Sequence, residues 1–225
     1  MAKESSGIKI KICGLTNLED ARLSLELGAD LLGFVFAKSP RMVTAEKAHE
    51  IVEQLPGTAR KAGVFVNEKV DIVRETAEHC GLDVLQFHGE ESPDYCVSFM
   101  PRRKVFKAFR LKDEESLAAI RRYRVDGYLL DSFVEGAHGG TGKTFDWQLA
   151  REAMKLCEAV ILSGGLNCDN IGEAVKKVYP WMVDVSSGVE AKPGKKDPGK
   201  LKRFIEMVRE AESGDRSMPG AEARK

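Results

Sequence analysis

Ile8-Lys9-Ile10-Lys11-Ile12-Cys13-Gly14-Leu15-Thr16 is the stretch from which the rest of the chain can be read. Isoleucine alternates with lysine, the period-two pattern of a β-strand. Cys13 falls where that strand stops. Gly14 permits a sharp turn, and Thr16 with Glu19 three residues later has the form of a capping box that opens a helix. A thiol at the C-terminal end of a strand that feeds a helix stands where α/β enzymes carry their chemistry.

The same strand–loop–helix unit recurs along the chain. Leu31–Phe36 is a continuous apolar run, as expected of a strand buried on both faces. Ala62–Val66, Val84–Phe87, Lys104–Phe109, Gly127–Asp131, Ala159–Leu162 and Met182–Ser186 follow as further strands. Between them lie helical patterns. Thr44 opens one, Asn67 is expected to cap another, and Ser92-Pro93 has the cap and first-turn residues in order. Asp146 caps a helix starting near Trp147, and Ile171, Ala174, Val175 and Val178 keep helical spacing. The last helix opens at Asp197-Pro198 and carries Leu201, Phe204, Ile205 and Val208. Eight alternating units with short connections predict parallel strands joined by crossover helices. In 225 residues they predict a (β/α)8 TIM barrel of the α/β class more than an open sheet. The barrel is expected as a single domain over 8–211. Polar, apolar-poor sequence predicts flexible termini at 1–7 and 212–225.

Hydrophobic residues make up 43% and charged residues 31%, enough for a sizeable core in an ordinary globular protein. The 35 basic and 35 acidic residues cancel, which argues against nucleic acid or an anionic membrane surface as partner. Five cysteines without a C-x-x-C pair argue against a disulfide framework and for a reducing compartment. The polar start is no signal peptide and no run reaches membrane-spanning length, so the expected location is cytoplasmic.

In a barrel the strand ends converge on one face, and that face holds the chemistry. Ser163-Gly164-Gly165 after strand seven and Ser186-Ser187-Gly188 after strand eight are small residues that let backbone N–H groups approach an anion. These two loops are the usual phosphate site of the fold, so a phosphorylated small-molecule substrate is expected. Asp131 ends an apolar run and reads as an acid. Asp184 lies on the face of Ser186 and either binds substrate hydroxyls or orders the barrel mouth. Arg41, in the loop after strand two, suits a substrate carboxylate. His88, after strand four, is expected to bind substrate; it has no paired ligand set around it, so no metal is expected. The Gly139–Thr144 stretch meets a relaxed P-loop pattern, but it comes several residues after strand six and short of the helix start. A mobile glycine-rich lid is the better reading.

Several stretches then agree in order and spacing with one family: Lys11–Thr16, Gly33–Phe36, Gly63–Asn67, Gln86–Gly89, Gly139–Trp147, Leu162–Leu166 and Asp184–Glu190. From about Lys9 to the last helix the chain resembles the phosphoribosylanthranilate isomerases of tryptophan biosynthesis. The resemblance implies an Amadori rearrangement of N-(5-phosphoribosyl)anthranilate to 1-(2-carboxyphenylamino)-1-deoxyribulose 5-phosphate, without a cofactor. It implies Cys13 as general base, Asp131 as general acid, Arg41 near the anthranilate carboxylate, and Gly164, Gly165, Ser186, Ser187 and Gly188 around the phosphate. It leaves monomer and homodimer both open. A free thiol is mostly protonated at neutral pH, so Cys13 needs help from a backbone dipole or the phosphate-side cations. Two other readings compete. A differently specific sugar-phosphate barrel such as an indole-forming synthase would need a lysine acid, for which Lys107 is the candidate. A non-catalytic sugar-phosphate binder would not need both Cys13 and Asp131.

Overall fold

The eight apolar runs do become eight strands, and in chain order each pairs in parallel with the next until the last meets the first. The computed structural model describes residues 7–100, 102–132 and 147–215. The strands are β1 (Lys9–Cys13), β2 (Leu31–Val35), β3 (Lys61–Phe65), β4 (Val84–Phe87), β5 (Lys104–Leu111), β6 (Gly127–Ser132), β7 (Val160–Leu162) and β8 (Met182–Val185). The helices between them are α1 (Leu18–Glu26), α2 (Ala45–Val52), α3 (Val70–His79), α4 (Pro93–Val97), α5 (Glu114–Ile120), α6 (Trp147–Met154) and α7 (Ile171–Val178), and α8 (Pro198–Asp215) follows β8. This is the (β/α)8 barrel expected from the alternation.

Strand alternation sorts side chains into two layers. Ile8, Ile10 and Ile12 point outward into the main core between strands and helices. Leu31, Ala62, Val84, Phe106, Leu129, Ile161 and Met182 form a second buried cluster that fills the lower barrel, with Trp181 across its base. Phe106 meets Trp181 edge-on, and the Lys9 ammonium lies 5.1 Å over the same indole. Above this apolar plug the inward positions turn polar. Closure brings Lys11 of β1 opposite Asp184 of β8, and Cys13 opposite Gly33 of β2.

Local capping follows the sequence in part. Thr44 accepts from the Lys47 amide at 3.2 Å, and Ser92 accepts from the Tyr95 amide with Pro93 opening α4. Two caps differ from expectation. Asn17, not Thr16, caps α1 by accepting from the Asp20 amide at 2.9 Å. Thr16 instead donates its hydroxyl to the Gly194 carbonyl. Asn67 does not cap α3, whose first turn follows Lys69 without a side-chain bond. It takes φ 50°, a left-handed conformation asparagine tolerates better than most residues, and accepts from the Glu90 amide at 2.7 Å. It therefore ties the β3 loop to the β4 loop.

The C-terminal boundary also shifts. The expected flexible segment from 212 begins inside α8, which runs to Asp215. Ala211 and Glu212 are buried because the helix packs back on the start of β1. Residues 1–6 and 216–225 lie outside the described residues. An antiparallel hairpin, β9 (Glu190–Lys192) with β10 (Lys195–Lys196), connects β8 to α8. The alternation did not announce it.

Candidate active site

At the end of β1 the chain turns at Gly14, with φ 76°. A side chain there would meet the Arg41 stem at 2.5 Å and the Ser186 hydroxyl at 2.9 Å, so glycine lets two distant loops close over the strand end. Cys13 is buried beneath them at 7% exposure. Its inward neighbour two residues back is Lys11, fully buried, with Nζ 2.9 Å from Asp184 Oδ1. Ser163 donates to Asp184 Oδ2 at the long distance of 3.4 Å. Burial pushes the Cys13 thiol above its ordinary value, with Lys11 as the main influence in the other direction.

A second charged cluster lies over the same strand end. Arg41 makes a two-point contact with Glu190, Nε to Oε1 at 2.8 Å and Nη2 to Oε2 at 2.7 Å. Lys196 donates to Glu190 at 3.1 Å, to the Cys13 carbonyl at 2.6 Å and to the Ser186 carbonyl at 3.1 Å. Burial would raise the Glu190 carboxyl, but Arg41 and Lys196 outweigh it and hold the group below its usual range. Burial works the other way on Lys196 and holds its ammonium low.

Across the mouth, Asp131 at the end of β6 is partly open to solvent, with 28% of its side chain exposed. His88 Nε2 lies 3.2 Å from Asp131 Oδ2, and His88 Nδ1 lies 3.2 Å from Gln86 Nε2. Gln86 is buried on β4, and its Oε1 has no partner among the described residues. Arg110 on β5 is the register partner of Asp131 and is exposed.

The anion loops lie on the β7–β8 side. Gly164 and Gly165 take φ 79° and 67°, which other residues adopt only at a cost. The Gly165 carbonyl accepts from the side chains of Asn167 at 3.3 Å and Asn170 at 3.0 Å, and the amides of Gly164 and Gly165 have no partner among the described residues. Ser187 and Gly188 enter a short 3-10 turn, Ser187–Val189. A Cβ on Gly188 would collide with the Leu166 carbonyl oxygen, so the two loops touch backbone to backbone at that point. The Gly139–Thr144 stretch and Asp146 lie outside the described residues.

The family model for N-(5'-phosphoribosyl)anthranilate (PRA) isomerase matches residues 10–207. The chain belongs to this family. A phosphoribosylanthranilate isomerase of Pelobacter propionicus is 51% identical over 207 residues, covering 92% of this chain and 98% of its own. The isomerase of Thermotoga maritima, a dimeric protein seen in a structure of monomers generated from it, superposes with a TM-score of 0.82 at 41% identity, over 90% of this chain and 99% of its own. An isomerase structure in complex with reduced 1-(o-carboxyphenylamino)-1-deoxyribulose 5-phosphate gives 0.82 at 40% identity with the same coverage. The chain is thus an isomerase of tryptophan biosynthesis that carries out the Amadori rearrangement of phosphoribosylanthranilate.

The synthase alternative loses its acid on geometric grounds. Lys107 points outward while its neighbours Phe106 and Ala108 point inward. Its ammonium is spent on the carbonyls of Gly89 at 2.7 Å and Ala108 at 3.0 Å and on Glu91 at 3.3 Å. Four residues that shape the isomerase site carried no role in the sequence reading: Lys11, Gln86, Glu190 and Lys196. Lys11 and Gln86 were within reach of the period-two rule, being two residues before Cys13 and His88. Glu190 and Lys196 were not, because the hairpin that folds them back has no periodic signature.

Proposed function

We propose that Cys13 and Asp131 are the base and acid of this rearrangement. The observation that supports the assignment is their placement at the ends of β1 and β6 on one barrel mouth, with the paired glycine loops beside them. Asp131 protonates the furanose ring oxygen, the anthranilate nitrogen supplies its lone pair, and the ring opens to a Schiff base. Cys13, as thiolate, removes the C2 proton. The resulting enolamine tautomerises to the ketose, so the substrate nitrogen is both electron source and sink. The amides of Gly164, Gly165, Ser187 and Gly188, with the Ser186 hydroxyl, receive the 5-phosphate.

The Gln86 amide accommodates both states of Asp131. With Gln86 Nε2 donating to His88 Nδ1, the neutral imidazole carries its proton on Nε2 and donates to the ionised Asp131. Turned over, the unpartnered Oε1 accepts from Nδ1–H, and His88 Nε2 accepts from protonated Asp131. His88 then serves the acid first and substrate second. Glu190 occupies the Nε–Nη2 edge of Arg41, which leaves the Nη1–Nη2 edge for the anthranilate carboxylate. Asp184 contacts a substrate hydroxyl only through Oδ2, since Lys11 holds Oδ1. Monomer or homodimer, a cytoplasmic location, and a single domain over 8–211 belong to the same reading. No helix among the described residues is long and apolar enough to cross a membrane.

The test is a fluorescence assay. Phosphoribosylanthranilate is generated in situ and the loss of its emission is followed with wild type, Cys13→Ala and Asp131→Asn. Rapid loss with wild type and a fall of about 10²–10⁴-fold in each variant is the expected result for general acid–base groups. Near-wild-type turnover in either variant removes that residue from its role.

A further inference from the structure

The proposed base lacks a named source of activation, and burial alone works against it. We propose that Lys11 is a positioning residue for proton abstraction: its ammonium, fixed between Asp184 and the Cys13 sulfur, stabilises the thiolate. The inference rests on Cys13 being the base.

Three observations carry it. First, Lys11 is completely buried, and a buried ammonium keeps its proton only with partners. Asp184 supplies one at 2.9 Å, and Cys13, two residues along the same inward row, is the other side chain that favours its charged form. Second, Gly33 records how closely the two side chains converge. A Cβ placed there would lie 2.9 Å from Cys13 Sγ and 3.1 Å from Lys11 Nζ. Both atoms lean over the same glycine on β2, so no side chain from that strand intervenes. Third, the charges around the thiol do not cancel. Lys11 faces it from β1, Asp184 from β8, Lys196 from β10 and Arg41 from the loop after β2, with Glu190 between the last two. Among these described residues three cations meet two carboxylates, leaving one positive charge that a thiolate neutralises. Lys196 and Arg41 are committed to Glu190, and Lys196 also to backbone carbonyls, so the cation that weighs most on the thiol is Lys11.

The influences on the two groups agree in sign. Burial raises the thiol and Lys11 is the largest opposing influence, while Asp184 pushes it up again. Burial works to lower the Lys11 ammonium, but Asp184 and Cys13 together hold it above its ordinary value. A register lock between β1 and β8 would need only the Lys11–Asp184 pair. A role in the chemistry predicts opposite effects from its two halves.

The full-length protein, wild type and the variants Lys11→Met, Lys11→Arg and Asp184→Asn, is alkylated with iodoacetamide from about pH 6 to about pH 11.5, and modification of the Cys13 peptide is read by mass spectrometry. Cys80, Cys96 and Cys157, whose thiols burial pushes up to about 11, serve as internal references. Lys11→Met should move the Cys13 midpoint up by about one unit, tenfold less thiolate at a given pH. Lys11→Arg should restore it and Asp184→Asn should move it down. The acid limb of the kcat pH profile should follow the same order. A Lys11→Met protein with unchanged far-ultraviolet dichroism and a wild-type midpoint overturns the proposal. Where Lys11→Met does not fold, a wild-type midpoint in Asp184→Asn overturns it. Retained turnover in Cys13→Ala overturns the base reading itself, which distinguishes that failure from this one.

Discussion

Glu190 ties the loop after β2, through Arg41, to its own hairpin, where it meets Lys196 and accepts from the Gly194 amide at 3.3 Å. Replacing it with glutamine keeps the shape and removes the charge, leaving buried Lys196 under-compensated. The expected loss is about 3 kcal/mol, the scale found when one partner of a buried pair is removed, read as a lower urea midpoint. KM should rise as well, because Arg41 loses the contact that orients its open edge. Gly33 makes a second case. Gly33→Ala forces a methyl against the thiol, the Lys11 ammonium and the Cys13 backbone, whose Cα lies 3.0 Å away. Overpacking of this kind costs about 1–3 kcal/mol. Turnover should fall well beyond what a stability loss of that size explains, and a Gly33→Ala protein with wild-type kcat would show that the two side chains have room to separate. At this scale the sequence was legible where a residue's place depends on its position along a strand, as for Cys13 and Asp131 at the ends of β1 and β6 and the glycine turn after β7. It was not where the partner lies far away. Lys11 read as one lysine of an alternating pair, and its meaning comes from Asp184, 173 positions later.

The long final helix does more than cover the barrel. Near its end Arg209 donates to the Ile8 carbonyl at 2.6 Å, and Glu212 accepts from the Ile8 amide at 3.3 Å. The residue before β1 is thus held at both backbone groups by α8. Glu212→Ala strands a buried amide, at a cost of about 1–3 kcal/mol, and should speed hydrogen exchange at the start of β1 more than elsewhere. Uniform exchange across the barrel would show that the contact adds nothing local. The same helix shows why elements were easier to read than their edges. Leu201, Phe204, Ile205 and Val208 kept helical spacing and are all buried, so the helix was legible. Past Val208 the buried face continues at Ala211 and Glu212, but a glutamate there gives no apolar signal, and hydrogen bonds to Ile8 and Arg209 satisfy it instead. Asn17 and Thr16 show the same limit: either side chain suits a cap, and only the position of Gly194 decides that Thr16 is used elsewhere.

For the molecule as a whole, eight strand–helix alternations were enough to specify closure, because each apolar run is too well buried to serve as an open edge. The core also fixes an alkaline limit. Burial pushes the Cys80 and Cys96 thiols up to about 11 from an ordinary 9.0. The unfolded chain releases these protons near the lower value and the folded chain only near the upper one. Their contribution to stability is therefore full below about pH 9 and declines as pH rises toward about 11. Urea midpoints at about pH 8 and about pH 10.5 should differ, lower at the higher pH; Cys80→Ala with Cys96→Ala should reduce the difference without abolishing it, since burial raises Cys157 likewise, and an unchanged slope in that double variant would assign it to other groups. Closure has a further effect in time. Cys13 belongs to the first strand, yet the cations and carboxylates around it include Asp184, Glu190 and Lys196 from the last part of the chain. Synthesis runs from the N-terminus, so the thiol leaves the ribosome long before the groups that tune it exist. On the proposed assignment, a nascent or prematurely terminated chain carries an ordinary cysteine without the groups that would activate it. On that assignment, turnover waits for the last strand and its hairpin to dock, so the first strand's chemistry depends on some of the last residues to be made.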